Sequence, residues 1–179
     1  KLKLRIDPQA PLGSQDIRAH TSKGHSNARP FEIGDLAEFS EQEPNNETNK
    51  ANSVTAPVII NGRISGEKDK DHFKFKAEKD QTLVLEVKAS RFSSPLDALL
   101  VLYDLKGAVL QQNDDVAGAD ARIEQRFSEA GEYTIALRDL LERSGDAWRT
   151  FSNFPSALPP TRWVGESGVM SSGNSCSSL

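Results

Sequence analysis

Three oxygen-bearing side chains recur at alternate positions in a short acidic stretch of the chain. Glu41, Glu43 and Asn45 are spaced two residues apart, and Pro44 lies between the last two. A residue that precedes proline is driven into extended conformation, and side chains at i, i+2 and i+4 of an extended segment share a face. Two carboxylates and an amide oxygen would then point the same way. Calcium prefers such ligands, so the spacing predicts part of a calcium site.

Calcium takes about six to eight oxygen ligands, and Asp69 and Asp71 are the candidates for the remainder. They alternate with Phe73 and Phe75, whose spacing predicts a strand with its apolar face toward a core. If this strand extends back to Asp71, that carboxylate faces inward, where it requires a cation or several hydrogen-bond donors. The alternative is that the acidic stretch is a solvated linker and that residues 69–71 form a turn.

No catalytic pattern accompanies these residues. The three histidines, His20, His25 and His72, have no metal-ligating partner at helical spacing, and His72 is predicted to lie on the polar face of its strand. The chain has neither a nucleophile-elbow motif nor a phosphate-binding loop. The single cysteine, Cys176, lies in a Ser-rich tail and predicts neither an intrachain disulfide nor a nucleophile. We therefore expect a chain that is not an enzyme.

The composition disfavours two classes of partner. The formal net charge is -4 over 179 residues, so there is no overall positive field to attract nucleic acid. No apolar run is long enough to span a bilayer, so no membrane insertion is predicted. No signal peptide is visible, and we expect the true N-terminus to lie upstream of Lys1.

The first part of the chain, residues 1–36, is basic and carries strand patterns. Residues 1–7 alternate between apolar and charged side chains, and short strands are predicted at 17–21 and 31–33. Three strands do not enclose a core by themselves. We interpret residues 1–36 as the C-terminal strands of a truncated domain, followed by an acidic linker or lead-in at 37–50.

The central part, residues 51–145, carries about eight strand patterns separated by turn signals. Residues 99–103 are continuously apolar, which predicts a strand covered on both faces. The series predicts an all-β fold, an antiparallel β-sandwich. The only helical candidate is a short turn near residues 47–53. Periodicity then stops, and residues 146–179 are predicted to form an irregular tail.

Two motifs in a fixed order resemble a known family. Residues 41–47 read EQEPNNE and residues 69–75 read DKDHFKF, and further matching segments at 100–104 and 131–139 follow in order. Together they resemble the bacterial pre-peptidase C-terminal domain over roughly residues 39–142. That family is similar to the collagen-binding modules of secreted clostridial collagenases. More weakly, the preceding residues resemble the end of an immunoglobulin-like domain.

The resemblance implies a jelly-roll-like β-sandwich that is non-catalytic, extracellular, periplasmic or on the cell surface, and appended to an exported protein. It also implies calcium ligands at Glu41, Glu43, Asn45, Asn46 and Asp71. The family pattern has a further acidic residue three positions before Asp71, where this chain has Lys68. Asp69 lies next to it and is kept as a candidate ligand.

These observations predict a non-catalytic accessory or binding module of a secreted multidomain bacterial protein, stabilised by calcium. Its partner would be a protein or polysaccharide surface, or a neighbouring domain of the same chain. Two alternatives stay open: a calcium-rigidified spacer between domains, and a non-catalytic fragment of an exported peptidase. Tyr103 and Tyr133 are the only tyrosines and are both predicted to be buried, so we expect no aromatic strip for collagen.

Overall fold

A computed structural model describes residues 4–115 and 120–142, together with the backbone of residues 150–153. The chain divides into two compact units. One contains Lys1–Asp35 and is called the N-terminal unit, and the other comprises Leu36–Leu158 and is called the sandwich unit. In the described ranges, no helix combines the length and apolar character needed to cross a membrane.

The N-terminal unit contains two pairs of antiparallel strands. The strands are β1 (Gly13–Ile17), β2 (His20–Thr21), β3 (Gly24–His25) and β4 (Arg29–Ile33). β1 pairs with β4, and β2 pairs with β3. Residues 4–7 do not form the predicted strand, because an alternating pattern becomes a strand only where its backbone finds a pairing partner. The immunoglobulin-like origin of this unit stays a prediction.

The sandwich unit is built from two five-stranded sheets, which confirms the predicted all-β sandwich. The first sheet has the order β11-β10-β13-β8-β6 and the second the order β12-β9-β14-β7-β5. The strands are β5 (Glu38–Ser40), β6 (Asn52–Ser53), β7 (Ile59–Gly62), β8 (Lys70–Ala77), β9 (Thr82–Val87), β10 (Ala98–Tyr103), β11 (Val109–Asn113), β12 (Arg122–Arg126), β13 (Gly131–Asp139) and β14 (Thr150–Asn153). Most neighbours are antiparallel, but the edge strands β5 and β6 run parallel to β7 and β8.

Alternating apolar side chains fill the space between the sheets, as the period of two requires. Phe73 and Phe75 of β8 face Leu83 and Leu85 of β9 across one shared core. β10 is buried on both faces, as its unbroken apolar run predicts. The Tyr133 hydroxyl donates to the backbone oxygen of Glu129 at 2.8 Å, which satisfies its one polar atom.

Two strands lie where the sequence predicts irregular chain. β5 lies within the predicted linker at 37–50 and extends the second sheet beside β7. β14 lies within the predicted tail and pairs with both β7 and β9. β5 adds to the edge of the sheet, whereas β14 fills the space between β7 and β9. In each case neighbouring strands supply backbone partners that a short segment without a strong pattern can use. The rest of the predicted tail lies outside the described residues. The predicted helical turn is a single 3₁₀ turn at Thr48–Lys50.

Candidate metal centre

The acidic segment, defined as residues 41–45, runs between the edges of the two sheets. At its start the Glu41 N–H donates to the Asn61 carbonyl of β7 at 2.9 Å. At its end the Asn45 carbonyl accepts the His72 N–H of β8 at 3.1 Å. β7 belongs to one sheet and β8 to the other, so the segment is fastened to both. The Glu43–Pro44 peptide is cis.

Three carboxylates converge at this segment. Ligand oxygens of Glu41, Glu43 and Asp71 all lie within 4.8 Å of one another. Asp71 is 1% exposed, Glu41 is half-buried, and Glu43 is exposed. The group therefore has a buried end at the start of β8 and an open end toward solvent. Asp71 faces inward at the start of β8, and Glu41 and Glu43 approach it from the acidic segment.

The side-chain amide of Asn45 completes the cluster and is fully buried. One terminal atom of this amide lies 3.3 Å from an oxygen of Asp71 and 3.1 Å from an oxygen of Glu43. With nitrogen in that position the amide donates to both carboxylates. With oxygen there, three oxygens face one another and require a cation between them. The same geometry thus suits either a calcium-free or a calcium-bound state.

Two buried oxygens in the cluster accept no hydrogen bond within the described residues. They are Asp71 Oδ2 and Glu41 Oε2. A buried carboxylate oxygen without a donor is costly, because it loses water and gains nothing in exchange. These two atoms require either a proton shared between the carboxyl groups or a positive group at the buried end of the cluster.

The electrostatics of the pair agree with this conclusion. Burial raises the pKa of Asp71 far above its ordinary value, and the adjacent Glu41 carboxylate raises it further. Burial also raises the pKa of Glu41, although contact with Asp71 and the Arg63 N–H offsets part of the rise. Without a cation, the pair therefore favours a shared proton over two negative charges.

Gly62 leaves room for the Glu41 carboxylate, a contribution that the sequence analysis did not identify. The Arg63 N–H donates to Glu41 Oε1 and holds it against β7. A Cβ atom at position 62 would lie 2.5 Å from Glu41 Oε2. Asn61 and Gly62 form the end of β7, and the role of Gly62 becomes visible only once Glu41 packs against it.

Asp69 and Asn46, the other two predicted ligands, are placed differently. Asp69 Oδ2 accepts the Ser65 N–H at 2.6 Å and the Ser65 hydroxyl at 3.2 Å, which closes the loop before β8. Asp69 still lies close enough to raise the pKa of Asp71. Asn46 is exposed. Lys68, where the family pattern has an acid, is exposed with a φ of 61°.

His72 lies on the face of β8 opposite the core, as predicted, and is nevertheless buried there. Its side chain alternates away from the core as expected, but only 6% of the residue is exposed. Its Nδ1 lies 3.2 Å from the Asn45 carbonyl, and its ring stacks on Tyr103 with centroids 6.5 Å apart. Burial lowers the pKa of His72, which favours the neutral ring. The acidic segment covers this face, which the local pattern of β8 does not reveal.

Two other acidic side chains have structural roles. Asp120 accepts the N–H groups of Ala89 at 2.9 Å and Ser90 at 2.7 Å, and Arg91 Nε at 2.8 Å. Asp139 is 1% exposed and accepts the Leu141 N–H at 3.0 Å. Asp139 therefore points inward and anchors the end of β13.

Comparison with protein-family models and with curated proteins gives no match for this sequence. Among solved structures, the chain is similar to the pre-peptidase C-terminal domain of collagenase from Bacillus anthracis, with a TM-score of 0.43 and 14% identity over 59% of this chain and 92% of that one. It is also similar to PliG, a periplasmic lysozyme inhibitor of g-type lysozyme from Aeromonas hydrophila, with a TM-score of 0.40 and 14% identity over 58% of this chain and 95% of that one. The similarity to a pre-peptidase C-terminal domain, predicted from the two motifs, is thus also found among solved structures.

Proposed function

We propose that the sandwich unit is a non-catalytic accessory module stabilised by one calcium ion. The ion binds where the acidic segment meets the start of β8, with Glu41, Glu43, Asn45 and Asp71 as ligands. The observation that carries this proposal is the pair of buried, donor-less oxygens, Asp71 Oδ2 and Glu41 Oε2. A divalent cation supplies the positive charge that two buried carboxylates require.

The ligand chemistry favours calcium among the common cations. The cluster consists of carboxylate and amide oxygens, which suit hard cations, and has no imidazole or thiolate to favour zinc or copper. Opposite oxygens around one calcium ion are about 5 Å apart, given Ca–O distances near 2.5 Å. The ligand oxygens of the three carboxylates lie within 4.8 Å of one another, so all three separations are short enough for one ion. Water completes the coordination at the exposed Glu43 end.

The module would act outside the cytoplasm, as part of a larger secreted or periplasmic protein. Extracellular calcium modules work with dissociation constants of roughly 0.1–1 mM, which suits a site with one exposed ligand and few protein ligands. The partner would be a protein or polysaccharide surface, or another domain of the same protein.

A spacer function is the second candidate, and the position of the acidic segment favours it. The N-terminal unit ends at Asp35, and Glu41 follows within six residues. β5 already joins the chain to β7, and a calcium ion that fastens residues 41–45 would add a second attachment next to the point at which the chain enters the sandwich. In this function the module separates its neighbours and needs no external ligand.

Thermal unfolding of the full chain, first in EDTA and then in millimolar calcium, tests the proposal. A ligand that binds only the folded state raises its stability by about 2.7 kcal/mol at a concentration of 100 times Kd. We expect calcium to raise the Tm of the wild type but not of Glu43→Ala. Glu47→Ala is the matched control, because Glu47 is an exposed acid of the same stretch that pairs with Lys50. Equal Tm values with and without calcium in the wild type would overturn the proposal.

A further inference from the structure

Two of the three histidines of the chain face each other in the N-terminal unit. His20 of β2 and His25 of β3 are direct cross-strand partners. Their rings are in contact, with centroids 3.8 Å apart and an interplanar angle of 66°. This pair plays no part in the proposed function of the sandwich unit.

The hairpin holds the two histidines in place from both sides. On the side away from the turn, Ala19 and Ser26 form two hydrogen bonds. The Ser26 N–H donates to the Ala19 carbonyl, and the Ala19 N–H donates to the Ser26 hydroxyl, each at 2.9 Å. Above them, the Thr21 hydroxyl donates to the Gly24 carbonyl at 3.2 Å across the turn. The two Cα atoms are therefore fixed opposite each other before any ligand arrives.

Ordinary packing does not explain the pair. Both histidines are exposed, and so are all residues of the turn between them. No hydrogen bond to either imidazole occurs within the described ranges, so the ring nitrogens are available.

We propose that His20 and His25 form a two-imidazole site for a divalent transition metal ion, Cu²⁺ or Zn²⁺. Metal–nitrogen bonds are about 2.0–2.1 Å long, which places two adjacent ligand nitrogens roughly 3–3.5 Å apart. Rings already in contact reach that separation by rotation of their exposed side chains. Imidazole is a good ligand for both copper and zinc, and a given site binds Cu²⁺ more tightly than Zn²⁺. The site is open, so water or a donor from a partner fills the remaining positions.

Copper titration of the full chain by calorimetry, with electron paramagnetic resonance of the complex, tests this site. The titration uses a Cys176→Ser background, so that the single thiol does not bind the metal. His20→Phe and His25→Phe keep an aromatic ring in the hairpin and remove the ligand nitrogens. Lys23→Ala is the matched control, because it changes the same turn and leaves both imidazoles.

We expect one copper ion per chain and a spectrum with two coordinated imidazole nitrogens. Each phenylalanine variant weakens copper binding by roughly tenfold or more, since metal affinity responds to the loss of even an outer-shell partner by about this factor. Lys23→Ala binds as the background does. If either phenylalanine variant misfolds, NMR of the Cys176→Ser protein with Zn²⁺ tests the site instead. We expect the ring signals of His20 and His25 to shift together, while those of buried His72 stay in place.

Several results would overturn the proposal. One is copper affinity that is unchanged in either phenylalanine variant. Another is one ion per two chains, which would indicate a metal bridge between copies. Loss of copper binding in Asp71→Asn would assign the ion to the acidic cluster instead. Zinc that shifts neither ring signal would exclude the pair as well.

Discussion

Asp71 is an acidic side chain that is only 1% exposed and lies beside two other carboxylates. Such a residue destabilises the fold unless a cation or a proton neutralises it. It also forms the buried end of the cluster. Substitution of Asp71 should therefore separate the energetic cost of burying its carboxylate from the stability gained when the ion binds.

The isosteric change Asp71→Asn should act in opposite directions with and without calcium. In EDTA we expect the variant to be more stable than the wild type by about 1–3 kcal/mol, because the wild type must take up a proton when it buries the carboxyl pair, whereas a neutral amide donates to Glu41 without one. We expect millimolar calcium to stabilise the wild type but not the variant. Urea unfolding under both conditions measures each effect. A variant that is weaker in EDTA yet still gains stability from calcium would contradict this assignment.

Gly62 is the second residue whose substitution tests the cluster. In Gly62→Ala the new methyl group would lie 2.5 Å from Glu41 Oε2, so the carboxylate must leave its place. The displaced atom ends a flexible side chain, so we expect the EDTA stability to change by less than about 1 kcal/mol. We expect calcium affinity, measured by calorimetry, to fall by roughly tenfold.

Gly66→Ala is the control for that change. It lies in the loop before β8, and a Cβ atom there meets nothing within 4 Å. Its calcium affinity should match that of the wild type. If both alanine variants bind calcium equally well, Glu41 is not a ligand.

At the scale of elements, Asp120 joins the chain after β9 to the segment before β12. Burial by itself would raise its pKa, but the Arg91 side chain and the N–H groups of Ala89 and Ser90 outweigh burial and lower it. The carboxylate is therefore bound more tightly in its charged form when the protein is folded. Its hydrogen bonds fix the 3₁₀ turn at Ser90–Phe92.

This contact predicts a pH dependence of stability. Because the folded pKa of Asp120 lies below its unfolded value, its stabilisation is complete above the unfolded pKa and is lost as pH falls through the folded pKa. We expect Asp120→Asn to lower the free energy of unfolding by about 2 kcal/mol near pH 7, and by progressively less below about pH 4.

Urea unfolding between pH 3 and pH 7 measures that difference. Asp80→Asn is the control, because Asp80 also pairs with an arginine, Arg126, but both side chains are mostly exposed. Exposed pairs contribute about 0–1 kcal/mol, so the control should show little pH-dependent loss. A difference for Asp120→Asn that stays constant with pH would show that its charge is not what stabilises the turn.

At the scale of the whole molecule, the acidic segment is fastened to β7 of one sheet and β8 of the other. An ion bound there should stabilise the sandwich unit as a cooperative whole and not merely order the segment. The N-terminal unit is a separate compact unit, so its opening should not depend on calcium.

Hydrogen exchange with and without calcium tests this distinction. We expect amides throughout β7, β8 and β13 to exchange more slowly in calcium, since they open only with the whole sandwich. Amides of β1 and β4 should be unaffected and serve as the internal reference. Protection confined to residues 41–45 would show that the ion orders the segment alone.

The sequence by itself determined those properties that depend on near neighbours along the chain. The period of two in Phe73-Lys74-Phe75 and in Leu83 to Leu85 predicts strands, and their number predicts a sandwich, because side-chain alternation is a local property of extended backbone. The same rule, with the effect of Pro44, placed the Glu41 and Glu43 carboxylates on one face. The two acidic and aromatic motifs were sufficient for the resemblance to the pre-peptidase C-terminal domain.

Only the tertiary structure decided what covers each face and which of the acids converge. His72 alternates out of the core as predicted, yet it is buried because residues far earlier in the chain pack over it. Asp69 was kept as a candidate ligand beside Asp71, but its carboxylate turns back to Ser65. Gly62 has its role only because Glu41 lies against it. The burial of His72 and the role of Gly62 depend on contacts between segments about 20 to 30 residues apart, and alternation within one segment does not encode which other segment will cover it.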